Sequence, residues 1–194
     1  MTKLETRTRI IEAARLLFKQ KGYTAASTRE IAELAGVNHL TLFRHFTNKE
    51  NLYRISVVDH LTSGDFITCI QAKLTGKLES DLTFIASAYL RENSDKGELF
   101  LTSLQESRDH AEAAELIGEI PRRLNAFMVQ YFAELQQKQQ IIPADYTILS
   151  TLFFSMLNQY ILYRTHPLFE QLYPSTEESF IMECVSLLTS RLNA

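Results

Sequence analysis

The sequence has 194 residues and a mass of 22.3 kDa, enough for one large domain or two small ones around a sizeable core. Gly (6) and Pro (4) are scarce, at well under the roughly 12% of average usage, which excludes a fold of many short strands joined by tight turns and favours long helices. A net charge of −3 and a pI near 6.0 argue at first against nucleic acid as a partner. The average conceals a split. Residues 1–54 carry ten Lys/Arg and five Glu, a charge of +5, and residues 55–194 carry −8. A basic module joined to an acidic one is the natural reading. Two cysteines, Cys69 and Cys184, exclude a disulfide framework and have no metal-ligand spacing. The charged N-terminus has no apolar signal-peptide run. The longest uncharged run, Tyr146–Tyr163, has 18 residues and includes Thr147, Ser150, Thr151, Ser155, Asn158 and Gln159. A membrane span wants about 20 predominantly apolar residues, so this run reads as a helix buried in protein, and the expected setting is cytoplasmic.

In chain order, Ile10, Ala13, Ala14, Leu17 and Phe18 recur at helical spacing and predict a helix over Arg7–Lys21, stopped by Gly22. Ser27 and Thr28 offer an N-cap, with Glu30 in the first turn, for a short helix Arg29–Ala35 ended by Gly36. Asn38 can cap a third helix, His39–Phe46, and a fourth follows over Lys49–Ser63. Beyond Gly64 the spacing predicts helices over Phe66–Leu74, Glu79–Asn93, Glu98–Asp109, Ala111–Gly118, Arg122–Gln139, Asp145–Thr165 and Thr176–Leu192. Pro143, Pro167 and Pro174 bracket the uncharged helix. No segment alternates with period two, and there is no repeat or low-complexity stretch. The fold class is therefore all-α. The division falls near residue 50, with a head over 1–50 and a helical body over 51–194.

The most informative stretch is Thr28–Lys49, two short helices joined through Ala35-Gly36-Val37-Asn38. A tight turn containing Gly between two helices is what a DNA-binding helix-turn-helix requires. Leu42 and Phe46 share one side of the second helix and should pack on Ile31, Ala32 and Ala35. Leu40, Thr41, Phe43 and Arg44 then point away from that core. Such a face suits a groove: Arg pairs with guanine, and Thr or Phe can touch a thymine methyl. The plain alternatives are a simple core corner, a core-flanking His45, and an Arg29–Glu33 pair at i,i+4. Lys49 at a helix N-terminus opposes the helix dipole, which makes sense if an anion sits nearby.

These residues together resemble the tetracycline-repressor (TetR) family of transcriptional regulators. The shared pattern is Thr28-Arg29, Ile31-Ala32, Ala35-Gly36-Val37, Thr41-Leu42-Phe43, His45-Phe46 and Asn48-Lys49-Glu50, then Leu52, within about residues 7–55. The resemblance implies a homodimer that binds a pseudo-palindromic operator through the head, with a C-terminal domain that binds a small ligand and dimerises. It implies phosphate contacts from Thr28, Thr41, His45 and Lys49, and base-edge contacts from Arg29, His39, Leu40, Thr41 and Arg44. Phe43 stands where Tyr is frequent in the family, so a hydroxyl contact to phosphate is missing. Leu40 stands where Pro or a small residue is common.

In the body, Phe180, Cys184, Leu188 and Leu192 form an i,i+4 row, with Ile181 and Val185 beside it. The uncharged helix is apolar nearly all round and so must be buried on all sides. The expectation is that these last two helices pair with their copies in a four-helix bundle, an isologous interface through Leu152, Met156, Gln159, Tyr160, Phe180, Ile181, Cys184, Val185 and Leu188. Candidate ligand-pocket residues are Phe84, Tyr89, Phe100, Leu104, Gln105, Phe127, Gln130, Tyr131, Phe153 and Met156, and their aromatics favour a lipophilic effector. Glu106 and His110 at i,i+4 are too few to hold a metal and read as a solvated face. No G-x-S-x-G, phosphate-cradling Gly loop or Cys–His pair is present, so no enzyme and no cofactor is expected. The rival reading is a helical small-molecule-binding protein or enzyme whose helix-turn-helix is only structural. A third is an activator of the same architecture.

Overall fold

The computed structural model describes residues 2–62, 66–109, 111–164, 169, 171 and 176–193. The expectations placed on Ser63, Gly64, His110, Thr165, Pro167 and Pro174 lie outside the described residues. Polar side chains decide where the helices begin. At the start of α1 (Lys3–Ala25), Thr2 Oγ1 accepts from the Glu5 amide at 3.2 Å and Glu5 returns a bond to the Thr2 amide at 2.9 Å. Ser27 and Glu30 repeat this box at α2 (Thr28–Leu34). Asn38 caps α3 (His39–His45) through the Leu40 amide, and Asn48 caps α4 (Lys49–Tyr53) through the Asn51 amide.

Two helical expectations change. The helix expected over Lys49–Ser63 runs on without interruption through residue 62 but widens into a π-type turn, Arg54–Val58, between α4 and α5 (Asp59–Thr62). Arg15 Nε donates to the Ser56 carbonyl at 3.1 Å, and Ser56 Oγ donates to the Leu52 carbonyl at 2.7 Å, so side chains take over carbonyls of the helical ladder there. The two helices expected over Ala111–Gly118 and Arg122–Gln139 are one, α9 (Ala111–Gln137), which runs through Pro121. Proline in a helix interior costs about 3 kcal/mol. Leu116, Ile117, Ile120 and Leu124 on either side of it are buried. The other helices are α6 (Phe66–Gln71), α7 (Leu78–Asn93), α8 (Gly97–Asp109), α10 (Tyr146–Arg164) and α11 (Glu177–Leu192). No strand occurs among the described residues.

The chain forms two compact units. One comprises residues 1–64 and 98–120. Its core holds Ile10, Ala14, Phe18, Ile31, Leu42, Phe46, Leu52 and Tyr53. The Tyr53 ring meets Phe18 and Tyr23 edge-on, each at 4.9 Å between centroids, and its hydroxyl donates to Ser103 Oγ at 3.1 Å. The second comprises residues 65–97 and 121–194, where α7 packs on α10 and α11 around Leu82, Ile85, Phe132, Phe153, Leu157 and Leu188.

In this second unit α10 is not buried on all sides. Leu149, Phe153, Phe154, Leu157 and Tyr160 face inward, while Ile148 (56% exposed) and Leu152 (51%) face outward. On α11, Ile181, Cys184, Val185 and Leu188 are buried within the single chain, and Met182 and Leu187 are the exposed apolar residues. The row read from the sequence as a partner surface thus turns into the chain's own core, because α7 already covers it. No described helix is long and apolar enough to cross a membrane.

Candidate nucleic-acid interface

The turn between α2 and α3 is built by Gly36 and by a distant arginine. Gly36 has φ +62°, a conformation that side chains with a Cβ adopt at a cost. The Arg9 guanidinium, from α1, donates to the Ala35 carbonyl and, at 3.2 Å, to the Gly36 carbonyl. It therefore takes the carbonyls that the C-terminus of α2 leaves without helical partners. Arg9 sits 26 residues from Ala35, and no local pattern in the sequence marks it for this work.

Leu42 and Phe46 are buried, as are Ile31, Ala32 and Ala35, and α3 packs against α2. This turns the rest of α3 outward. Leu40 is 73% exposed and Phe43 39%. Arg44 is exposed, and Thr41 and His45 are half-buried. His39 Nε2 lies 3.0 Å from Thr28 Oγ1, and its ring meets Phe43 edge-on at 4.9 Å. Thr28, His39 and Phe43 are thus one linked group. Arg29 is exposed on α2, and no ion pair joins it to Glu33.

The basic charge of this region is less available than its count suggests. Arg7 lies over the Phe46 ring, Lys19 pairs with Glu98, and Arg54 pairs with Glu119. Lys21 binds Glu30 at 2.6 Å. That bond, with those from Ser27, lowers the Glu30 carboxyl from its ordinary 4.5 to about 2. The Lys49 ammonium sits 4.6 Å from the Tyr23 ring centroid and donates to the Thr24 carbonyl at 3.2 Å, which explains how a cation is tolerated at the start of α4. Arg29 and Arg44 make no hydrogen bond, ion pair or ring contact among the described residues. They are the uncommitted guanidinium groups of α2 and α3.

The pocket candidates are scattered. Phe127, Gln130 and Tyr131 of α9 line a cleft of about 360 Å³ in the second unit, with Gln71, Leu74, Gly76, Glu134 and Lys138. Beneath it Asp81, 1% exposed, accepts from the Thr75 amide and hydroxyl and the Gly76 amide, each at 2.8 Å, and from Tyr131 Oη at 2.9 Å. This carboxylate ties the 75–76 loop to α9 and was not legible in the sequence. Phe153 is fully buried, and Met156 is half-buried on α10. Tyr89 is buried and donates to Asn158 at 2.7 Å; burial pushes its hydroxyl pKa well up. Phe84 lies under the Lys73 ammonium. Phe100, Leu104 and Gln105 belong to α8, in the other unit. The described residues include no group of three or more side chains fit to hold a metal ion.

Residues 10–54 match the family described as bacterial regulatory proteins, tetR family. The HTH-type transcriptional regulator YvkB of Bacillus subtilis is 26% identical over 189 residues, which cover 97% of this chain and 98% of that one. Among solved structures, Salmonella enterica GusR superposes with a TM-score of 0.77 at 23% identity, covering 99% of this chain and 97% of that one. Bacillus subtilis FadR in complex with stearoyl-CoA superposes with a TM-score of 0.73 at 21% identity, covering 94% of this chain and 97% of that one. At these identities the structural likeness speaks to the fold, and the similar proteins are regulators rather than enzymes. The capped helix pair, the Gly36 turn and the outward face of α3 thus lie within the segment that matches the tetR family of bacterial regulatory proteins, and the relative similar over nearly the whole chain is an HTH-type transcriptional regulator.

Proposed function

We propose that the chain is a ligand-responsive repressor that binds a pseudo-palindromic operator as a homodimer in the cytoplasm. Residues 1–50 serve as the DNA-binding head and 51–194 as the ligand-binding and dimerisation part. The observation that carries this reading is the outward face of α3, where Leu40, Phe43 and Arg44 are exposed and Thr41 half-buried, with Arg29 exposed on α2. Thr28, Thr41, His45 and Lys49 take phosphates, which set the register, and Arg29, His39, Leu40, Thr41 and Arg44 meet base edges. The second copy covers the exposed apolar residues of α10 and α11, Ile148, Leu152, Met182 and Leu187, together with Gln159. A lipophilic effector is the ligand class, in keeping with the stearoyl-CoA named for the FadR structure. An effector that prefers the DNA-incompetent state shifts the population away from DNA.

Fluorescence anisotropy with duplexes from the region upstream of the protein's own gene tests the reading. Sequence-preferring binding that weakens steeply with salt is the expected result, because phosphate contacts release counterions. Folded protein with no sequence preference at low salt would overturn it. Light scattering of L152E and L187E variants tests the dimer, and both should run as monomers.

A further inference from the structure

The outer face of α3 carries an apolar edge that phosphate contacts and hydrogen bonds do not use. Leu40 is 73% exposed and Phe43 39%, while the core work of the helix is done by Leu42 and Phe46, which are buried. Residues 40 and 43 are three apart and so are neighbours on one side of a helix. The Phe43 ring is held in place. His39 meets it edge-on, with 4.9 Å between centroids and an interplanar angle of 89°, and His39 is itself tied to Thr28 Oγ1 at 3.0 Å. A rotamer fixed in this way loses little freedom on binding.

Hydrocarbon edges neither donate nor accept hydrogen bonds. The major-groove edges of the four base pairs present one hydrocarbon group, the C5 methyl of thymine. Cytosine presents its N4 amine beside a bare C5–H, and an apolar side chain set against that amine would strip its water without replacing the bond. The N-terminal residues of a recognition helix are those that reach base edges, and Leu40 is the second residue of α3.

We infer that Leu40 and Phe43 are specificity-determining residues that read thymine C5 methyl groups in the major groove, with His39 as the positioning residue for Phe43. This rests on the DNA-binding reading above and adds which base group the helix recognises. It makes thymine at one or two positions of each half-site a requirement set by hydrocarbon contact, alongside whatever Arg44 and Thr41 select by hydrogen bonding.

The test begins with selection of a preferred site from a random duplex pool by the full-length protein. Each thymidine of that site is then replaced by deoxyuridine, which removes the methyl and keeps the pairing. Wild type should lose about fourfold in affinity at each position read, the worth of one buried methyl group. L40A should be insensitive to uridine at one such position and F43A at another, a double-mutant comparison that cancels effects on DNA shape. H39A should lose uridine sensitivity at the Phe43 position and keep it at the Leu40 position. Circular dichroism confirms that these surface variants fold. Wild-type affinity unchanged by uridine at every thymidine would overturn the inference and leave the DNA-binding reading standing. Equal uridine sensitivity in wild type, L40A and F43A would overturn the assignment to these residues. Failure of folded protein to select any sequence would overturn the DNA-binding reading, and this inference with it.

Discussion

Thr28 and His39, the first residues of α2 and α3, are joined by a hydrogen bond of 3.0 Å between Oγ1 and Nε2 that spans the turn. The family resemblance alone points both toward DNA. The bond gives them a second task, which is to hold the two helix starts in register before DNA arrives. T28V should therefore lower operator affinity about tenfold while costing about 1 kcal/mol of stability, the worth of one such bond. T28S keeps the hydroxyl and should retain most of both. Anisotropy and urea denaturation on the same preparations separate the two effects.

The Gly36 turn depends on the absence of a Cβ. Its φ is +62°, and an added Cβ would lie 2.7 Å from Arg9 Nη2. G36A should lose about 1–2 kcal/mol through the left-handed backbone, with more lost as the guanidinium is pushed off the Ala35 carbonyl. R9M tests the other half of the arrangement. It leaves the backbone unstrained but the carbonyls unbonded, so it should destabilise less than G36A in chemical denaturation.

Glu30 makes stability pH-dependent on the acid side. The Lys21 ammonium and the Ser27 bonds hold its carboxyl at about 2, below its ordinary 4.5. A carboxyl lowered on folding contributes stability above its unfolded value and loses it as pH falls through the folded one. Wild type should therefore weaken between pH 4.5 and 2, and E30Q should show a shallower fall over that window. Thermal melts in a pH series give the comparison.

Asp81 is a buried carboxylate satisfied by four donors, two on Thr75, one on Gly76 and the Tyr131 hydroxyl. D81N places an amide donor against some of these donors, and it should cost about 2–4 kcal/mol, because polar groups are then left buried and unpaired. Y131F removes one bond from the edge of the network and should cost about 1 kcal/mol. A loss in D81N no larger than in Y131F would contradict this account.

The two thiols should separate cleanly. Cys69 is exposed, whereas Cys184 is 2% exposed, and burial pushes its pKa from 9.0 up to about 11. Alkylation at pH 8 followed by mass spectrometry should label Cys69 in the native protein and Cys184 only after unfolding. Native labelling of Cys184 would place it at a surface rather than in the core of α11.

Much of the head was written locally. Ser27 with Glu30, Asn38 and Asn48 mark helix starts through bonds to amides two or three residues on, and Gly22 and Gly36 mark breaks through their backbone freedom, so a linear reading finds them. The inward side of α3 was equally legible, because a period of 3.6 sets which side chains share a face. The body was read less well. Sequence determined that α10 and α11 are apolar, but not which of their faces lies inward. Only the packing of α7 against both put Cys184 and Leu188 in the core and left Leu152 and Leu187 outside.

Sequence by itself determined an all-α chain with a capped helix-turn-helix, since caps, glycines and helical periodicity act within a few residues. The tertiary structure decided the rest. It set Arg9 on the Gly36 turn, Asp81 under Thr75 and Tyr131, and Lys49 on Tyr23, and it left Arg29 and Arg44 uncommitted. The net charge of −3 divides into a +5 segment and a −8 segment by counting alone. Which of those charges are already spoken for is a matter of partners up to 82 residues away, as Thr24 and Glu106 are, and only folding brings such partners within bonding distance.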